Sequence, residues 1–240
     1  MGETHMKIRH AEDRGIANFD WLKSRHSFSF GHYYDPQHMG FGPLRVINDD
    51  RVDPGAGFPP HGHADMEIIS YVVSGGLEHK DSIGTGSVIL PGDVQRMSAG
   101  KGIRHSEYNA SAEAPVHFLQ IWIIPETQGI DAGYEQKRFF EGCSDDGQFK
   151  LVGSRDGRDG SITIHQDVNL YAGRFGNADA VSLDIHSDRL AWVQLVQGEI
   201  NLKGEKLTQG DGVAFEKGET LSFSEANHAE VLVFDMTANS

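Results

Sequence analysis

Gly55-Ala-Gly-Phe-Pro-Pro-His61-Gly-His63-Ala-Asp-Met-Glu67 sets two histidines two residues apart, just ahead of a strand-like run. A second stretch, Gly102-Ile-Arg-His105-Ser-Glu107-Tyr-Asn109, repeats the spacing with a histidine and a glutamate. Side chains two apart on a β-strand point to the same face. His61 and His63 therefore project together, and so do His105 and Glu107. If the two strands face each other, three imidazoles and one carboxylate converge on one point. Neutral imidazole suits Fe, Ni, Cu and Zn, and a carboxylate adds charge and hardness. Four protein ligands leave a position open for chemistry.

The rest of the chain is a β-rich frame for that constellation. The 240 residues are 38% hydrophobic and include 29 glycines. Short apolar or alternating runs recur, as in Leu44–Ile47, Met66–Val73, Val116–Ile124, Ser161–His165, Leu190–Val196 and Ala229–Asp235. Each is rich in β-branched or aromatic residues and bounded by turn formers, the pattern of a sandwich or barrel. Asn18–Ser24 is a short helix candidate. An internal echo is also present. Tyr71–Gly75, a hairpin, Leu90-Pro-Gly92-Asp93 and a glycine turn in the first half answer Gln194–Gly198, a hairpin, Gly210-Asp211 and Glu216-Lys-Gly218 in the second. Two barrels of one type are expected. Their ranges are 6–130 and 161–240, with a Gly/Asp-rich linker over 131–160. Met6 is read as the natural start, and the residues before it are set aside.

Composition narrows the function. A formal net charge of -14 gives no electrostatic reason to bind nucleic acid or an anionic membrane. The longest apolar run, about Phe118–Pro125, is broken by Gln120 and is too short to span a bilayer. No apolar leader is visible over Met1–His10. The single cysteine, Cys143, allows no intramolecular disulfide. A cytoplasmic location is expected.

The spacing resembles the cupin motifs. Gly55, His61, His63, Glu67 and Gly75 follow the first motif, with the last glycine one place late; Gly102, His105 and Asn109 follow the second. The cupin pattern gives the fourth ligand to the first-motif glutamate, here Glu67. Glu107 competes for that place, and strand phase alone does not separate them. His26, His32 and His38 lie in an aromatic run and are expected to pack beside the barrel mouth. His79, His117, His165, His186 and His228 are read as structural or surface residues. In the second half Asp184 and His186 fall near the His61 and His63 slots, but no histidine stands near Ser222–Ser224 to match His105. That half is expected to be metal-free.

Over residues 14–125 the chain is similar to the pirin family of bicupins. The resemblance rests on Trp21-Leu-Lys-Ser-Arg-His-Ser-Phe-Ser-Phe, Tyr33-Tyr-Asp-Pro, Leu44–Asp50, His61-Gly-His63, His79-Lys-Asp81-Ser, Pro91–Met97 and Ser98–Glu107. It implies two antiparallel cupin-type β-barrels, an all-β fold, with metal only in the first. It implies His61, His63, His105 and Glu107 as ligands and leaves Glu67 as a residue either behind the ligands or in the pocket. The family usually has proline where Gly62 stands; the change loosens the loop and removes no ligand.

The resemblance also implies a function. The family's enzymatic activity is quercetin 2,3-dioxygenase, which opens a flavonol with O₂ and releases carbon monoxide. The expected cofactor is one divalent metal, Fe(II) first, with Ni, Mn, Cu, Co or Zn as alternatives. The expected partners are a small aromatic substrate and O₂. Glu107 is expected to take the substrate proton, with Glu67 as the fallback. Animal pirin is similar too, and is described as a redox-sensing nuclear co-regulator acting through a protein partner. A metal-dependent isomerase or decarboxylase is a third reading, since fold does not fix function.

Overall fold

The computed structural model describes residues 6–141, 146–177 and 180–238, and Cys143 lies outside them. The first half carries β1 (Met6–Arg9), β2 (Gly15–Asn18), β3 (Leu22–His26), β4 (Leu44–Val52), β5 (Gly57–His63), β6 (Glu67–Ser74), β7 (Leu77–Asp81), β8 (Gly86–Ile89), β9 (Asp93–Ser98), β10 (Ile103–Asn109), β11 (Val116–Ile123) and β12 (Gly133–Arg138). The second carries β13 (Phe149–Ser154), β14 (Ile162–Thr163), β15 (Val168–Phe175), β16 (Val181–Asp184), β17 (Arg189–Leu202), β18 (Glu205–Thr208), β19 (Gly212–Phe215) and β20 (Thr220–Thr237). The helical pieces among the described residues are two 3-10 turns, Ala11–Asp13 and Arg158–Gly160. None of them is long and apolar enough to cross a membrane.

The expected helix at Asn18–Ser24 is a hairpin. The Phe19 and Leu22 backbones bond each other reciprocally, and β3 returns antiparallel on β2. Burial then alternates along β3 with the two-residue period of a strand. A seven-residue window was too short for periodicity to separate the two forms.

In the first half, a seven-stranded sheet (β12-β9-β6-β11-β4-β3-β2) faces a four-stranded one (β5-β10-β7-β8). Leu77 and Ile89 of the small sheet pack on Val52, Val72 and Phe118 of the large one. The eight strands of the second half join β1 in one nine-stranded sheet, in which β17 and β20 bend through register shifts. These are cupin-type jelly-roll halves whose sheets do not close into full barrels. The echo seen in the sequence has a local counterpart. The Asp93 carboxylate accepts the Leu90 N–H at 3.0 Å, and the Asp211 carboxylate accepts the Thr208 N–H at 2.8 Å. Gly92 and Gly210, just before these aspartates, have φ of 94° and 92°.

Chain ends and linker differ from the expected ranges. β1, placed by sequence with the first half, pairs with β19 of the second and covers that sheet's edge. The span 131–160 is not a bare linker: β12 pairs with β9, and β13 with β15.

The large sheet has two uses. On β6 and β11, Ile69, Tyr71, Leu119, Ile121 and Ile123 join a core shared with Trp192, Leu232, Phe234 and Met236 of the second half. Phe28 packs on Trp192 with ring centroids 4.8 Å apart. Within this apolar layer the Tyr71 hydroxyl donates to Glu230, which also pairs with Arg174 at 2.9 Å. The alternate residues Ile68, Gln120 and Trp122 face the gap between the two sheets. Phe28→Ala would open a cavity in the shared core and should lower stability by about 3–5 kcal/mol. Urea denaturation checks this; a loss below about 1 kcal/mol would show that the halves do not depend on that contact.

Candidate metal centre and cavity

Two edge-to-edge strands assemble the site. β10 runs antiparallel to β5, with Ile103 opposite His63 and His105 opposite His61. A register shift between His105 and Glu107 then brings Glu107 opposite Phe58. The backbones approach so closely there that a Cβ at Gly57 would lie 2.3 Å from the Glu107 carbonyl oxygen. Only glycine fits. Gly62 is different: a Cβ would meet nothing nearer than 3.7 Å, so the space does not require glycine. Asn109, at the end of β10, donates to the carbonyls of Val52 (3.1 Å) and Ala114 (2.8 Å) and fixes the loops beside the site.

The ring centroids of His61, His63 and His105 lie 4.4–4.9 Å apart. Their ligand atoms fall within 4.8 Å of one another. His61 donates from Nδ1 to the Pro59 carbonyl at 2.9 Å, which leaves Nε2 with its lone pair. The Asp81 carboxylate accepts a hydrogen bond from His79 Nε2–H at 3.0 Å, so His79 Nδ1 is an acceptor. His105 Nδ1 donates to it at 3.5 Å, a long hydrogen bond. The Nε2 of His105 is then a lone pair too; it is buried and has no partner. Second partners that fix the ring tautomer are the usual support of metal-bound histidines. The donor set fits a divalent cation on these grounds. Burial holds His63 down to about 4, helped by the His61 charge, and lowers His105 and His79 as well. Imidazoles that stay neutral are the ligand form.

Glu107 falls into an overlapping group with His105 and His79. Its carboxylate accepts from Ser70 Oγ at 3.1 Å and from Gln120 Nε2 at 2.7 Å. Burial outweighs these bonds and pushes the carboxyl up to about 7. His61, His63, His105 and Glu107 all line one cavity of about 510 Å³, and His79 does not. His79 is fully buried behind His105.

Glu67 does not line the cavity, which corrects the pocket alternative for it and its place as the fallback base. Its carboxylate accepts both the backbone N–H and the Nδ1–H of His165 at 3.0 Å, tying β6 to the second half. Even spacing from His63 did not transmit phase, because the chain leaves the strand between them and Asp65 takes φ of 48°. His165 is thus structural, as expected. His117 bonds Asp49 at 2.7 Å, His38 bonds Asp35 at 2.7 Å, and exposed His186 pairs with Asp188. His26 and His32 line the cavity. Asp184 accepts from the Thr220 hydroxyl at 2.6 Å.

Sequence reading missed His79 and Asp50. The pair His79 and Asp81, in phase on one strand, was the available signal for the first. Asp50 lines the same cavity from β4. Burial pushes its carboxyl up to about 7; the neighbouring Ser24 hydroxyl offsets this in part, without a hydrogen bond of ordinary geometry.

A family profile described as Pirin matches residues 8–123, and one described as Quercetinase C-terminal cupin domain matches residues 151–236. A protein of Escherichia coli K12 named quercetin 2,3-dioxygenase is 46% identical over 230 residues, covering 95% of this chain and 97% of that one. The chain belongs to the pirin family. A pirin-like protein of Caulobacter vibrioides is 36% identical over 222 residues, covering 92% of this chain and 95% of its own. Among solved structures, the bacterial pirin YhhW of Escherichia coli, in complex with nickel(II), superposes with a TM-score of 0.90 at 44% identity. The match covers 97% of this chain and 99% of that pirin. A quercetin 2,3-dioxygenase structure from Acinetobacter baumannii, at 17% identity and a TM-score of 0.77, shares the fold.

The unfolded Asp50 carboxyl ionises near about pH 4, and the folded one keeps its proton to about 7. Stability is therefore full below the unfolded value and falls as pH rises toward 7. Asp50→Asn should match wild-type stability near about pH 4 and exceed it near about pH 8 in the metal-free protein, where ionisation is costly. Urea denaturation at the two pH values checks this; an equal difference at both would contradict it.

Proposed function

We propose that the protein is a metal-dependent dioxygenase acting on flavonols or related hydroxylated aromatics, with quercetin 2,3-dioxygenase activity. The observation that carries the reading is the group His61, His63 and His105, gathered within ligand distance of one another on a cavity that Phe30, Phe58 and Trp122 also line and that is large enough for such a substrate. The name of the 46%-identical Escherichia coli relative supports it. His61, His63 and His105 would hold the metal, with Glu107 as fourth ligand because it lines the same cavity beside His105. Fe(II) is our first assignment from the mixed imidazole and carboxylate donors, with Ni, Mn, Cu, Co or Zn also compatible. A relative has been solved with nickel(II).

When bound, the metal supplies a Lewis-acidic position for the substrate's enolic hydroxyl and an electronic path to O₂. The chain does the rest. Glu107 would accept the hydroxyl proton at a carboxylate oxygen. Gln120 and Ser70 hold that carboxylate in place. Phe58, Phe30 and Trp122 exclude water and offer flat faces to an aromatic ring; Trp122 packs edge-on to Phe30 at 5.3 Å and to His63 at 5.0 Å. The second half is assigned a structural role, since His186 and Asp184 are engaged with other partners. The net charge of -14 and the lone Cys143 support an enzyme free of nucleic acid in a reducing cytoplasm.

Protein loaded in turn with each metal should consume quercetin in air and release carbon monoxide. No turnover with any of them would refute the activity. In equilibrium dialysis the double variant His61→Ala/His105→Ala should take up no stoichiometric metal. Glu67→Gln should leave uptake intact. His79→Ala should weaken metal affinity by about 10–100-fold while preserving the fold, as loss of an orienting partner does; unchanged affinity would show that His79 is only packing.

A further inference from the structure

Eleven buried side-chain polar atoms among the described residues lack a hydrogen-bond partner within the protein. Seven of them, on Ser24, His26, Asn48, Asp50, His105, Gln120 and Trp122, belong to residues that line the one cavity. Folded proteins pair nearly all buried polar groups. A concentration of unpaired ones in a single cavity therefore points to a ligand that pairs them. His105 is accounted for by the metal proposed above. The remainder is not. Ser24, Asn48 and Asp50 stand on β3 and β4, on the sheet opposite the strands that carry His61, His63 and His105. Asn48 Oδ1, Asp50 Oδ1 and Gln120 Oε1 are acceptors. A wall of unpaired acceptors is complementary to a donor-bearing ligand.

We propose that Asp50, flanked by Ser24 and Asn48, forms a second polar subsite that receives a hydroxyl group of the aromatic substrate other than the one held at the metal. The inference rests on the aromatic-substrate reading above and adds which substrate is preferred. The substrate lies between the two sheets. One end meets the imidazoles and the other is recognised by an additional ring hydroxyl donating to Asp50. A ring without that hydroxyl leaves the buried carboxyl unpaired, and a site built for a hydroxyl rejects such analogues strongly.

The test is binding under anaerobic conditions to zinc-loaded protein, followed by tryptophan fluorescence. The probes are 3-hydroxyflavone, which keeps only the metal-directed hydroxyl, and its derivatives with one further hydroxyl at each ring position. At about pH 8, above the value of about 7 to which burial raises the Asp50 carboxyl, the added hydroxyl at one position should tighten wild-type binding by about tenfold or more, the range for a hydrogen bond to a charged group. Asp50→Leu should reduce that gain to within about twofold, and Asp50→Asn, which keeps side-chain volume and is expected to fold, should reduce it partly. Both variants are compared at wild-type metal stoichiometry; if Asp50→Leu does not fold, Asp50→Asn alone decides. No gain at any position in wild type, or a gain that persists undiminished in the folded variants, would overturn the subsite. Because oxygen is excluded, the result stands apart from turnover. An Asp50-dependent gain without quercetin breakdown would sink the dioxygenase reading and leave the subsite. Turnover with hydroxyl selectivity independent of Asp50 would do the reverse.

Discussion

The antiparallel pairing of β5 with β10 is the constraint on which the site depends. It sets His105 opposite His61 and Ile103 opposite His63, so three imidazoles from two strands share one face. The register shift lies on β5, which carries an extra residue between Phe58 and His61, while β10 keeps its phase against β7 from His105 to Glu107; beside Glu107, Gly57 permits contact that no side chain would allow. A one-residue slip would send every ligand to the opposite face. The stapling of loops by Asn109 and the pairing of β10 with β7 on its other side hold that register. β7 also supplies His79 and Asp81, which orient His105 from behind.

The large sheet converts strand alternation into a division of labour. Odd-numbered Glu67, Ile69 and Tyr71 on β6 face the second half, while Ile68 and Ser70 serve the cavity. On β11, Leu119 and Ile121 join the shared core, while Gln120 and Trp122 line the cavity. The second half thus supports the floor of the site from behind, and among the described residues it contributes none to the cavity lining. Burying that face provides the stability from which unpaired polar groups in the cavity can be maintained.

Much of this was legible in the sequence because it depends on period two. The strand pairs, the in-phase His61/His63 and His105/Glu107, and the repeated Gly-Asp turns are all local patterns. What was not legible required tertiary facts. Glu67 sat at an even spacing from His63, but the left-handed Asp65 breaks the strand and resets its phase. Asn18–Ser24 was too short to distinguish a turn from a helix. β1 reaches across to β19, a pairing between residues about two hundred apart that no local pattern encodes. Asp50 lies in a run, Leu44–Val52, that reads as a buried strand; only the cavity shows which of its polar residues face inward.

The most direct test of the central claim is anomalous X-ray scattering from crystals of the metal-loaded protein, collected at the metal's absorption edge. The account requires one strong peak in the cavity, about 2 Å from a ring nitrogen of each of His61, His63 and His105, with a Glu107 oxygen completing the set. A peak centred instead on His79, or no peak in the first half at all, would contradict it.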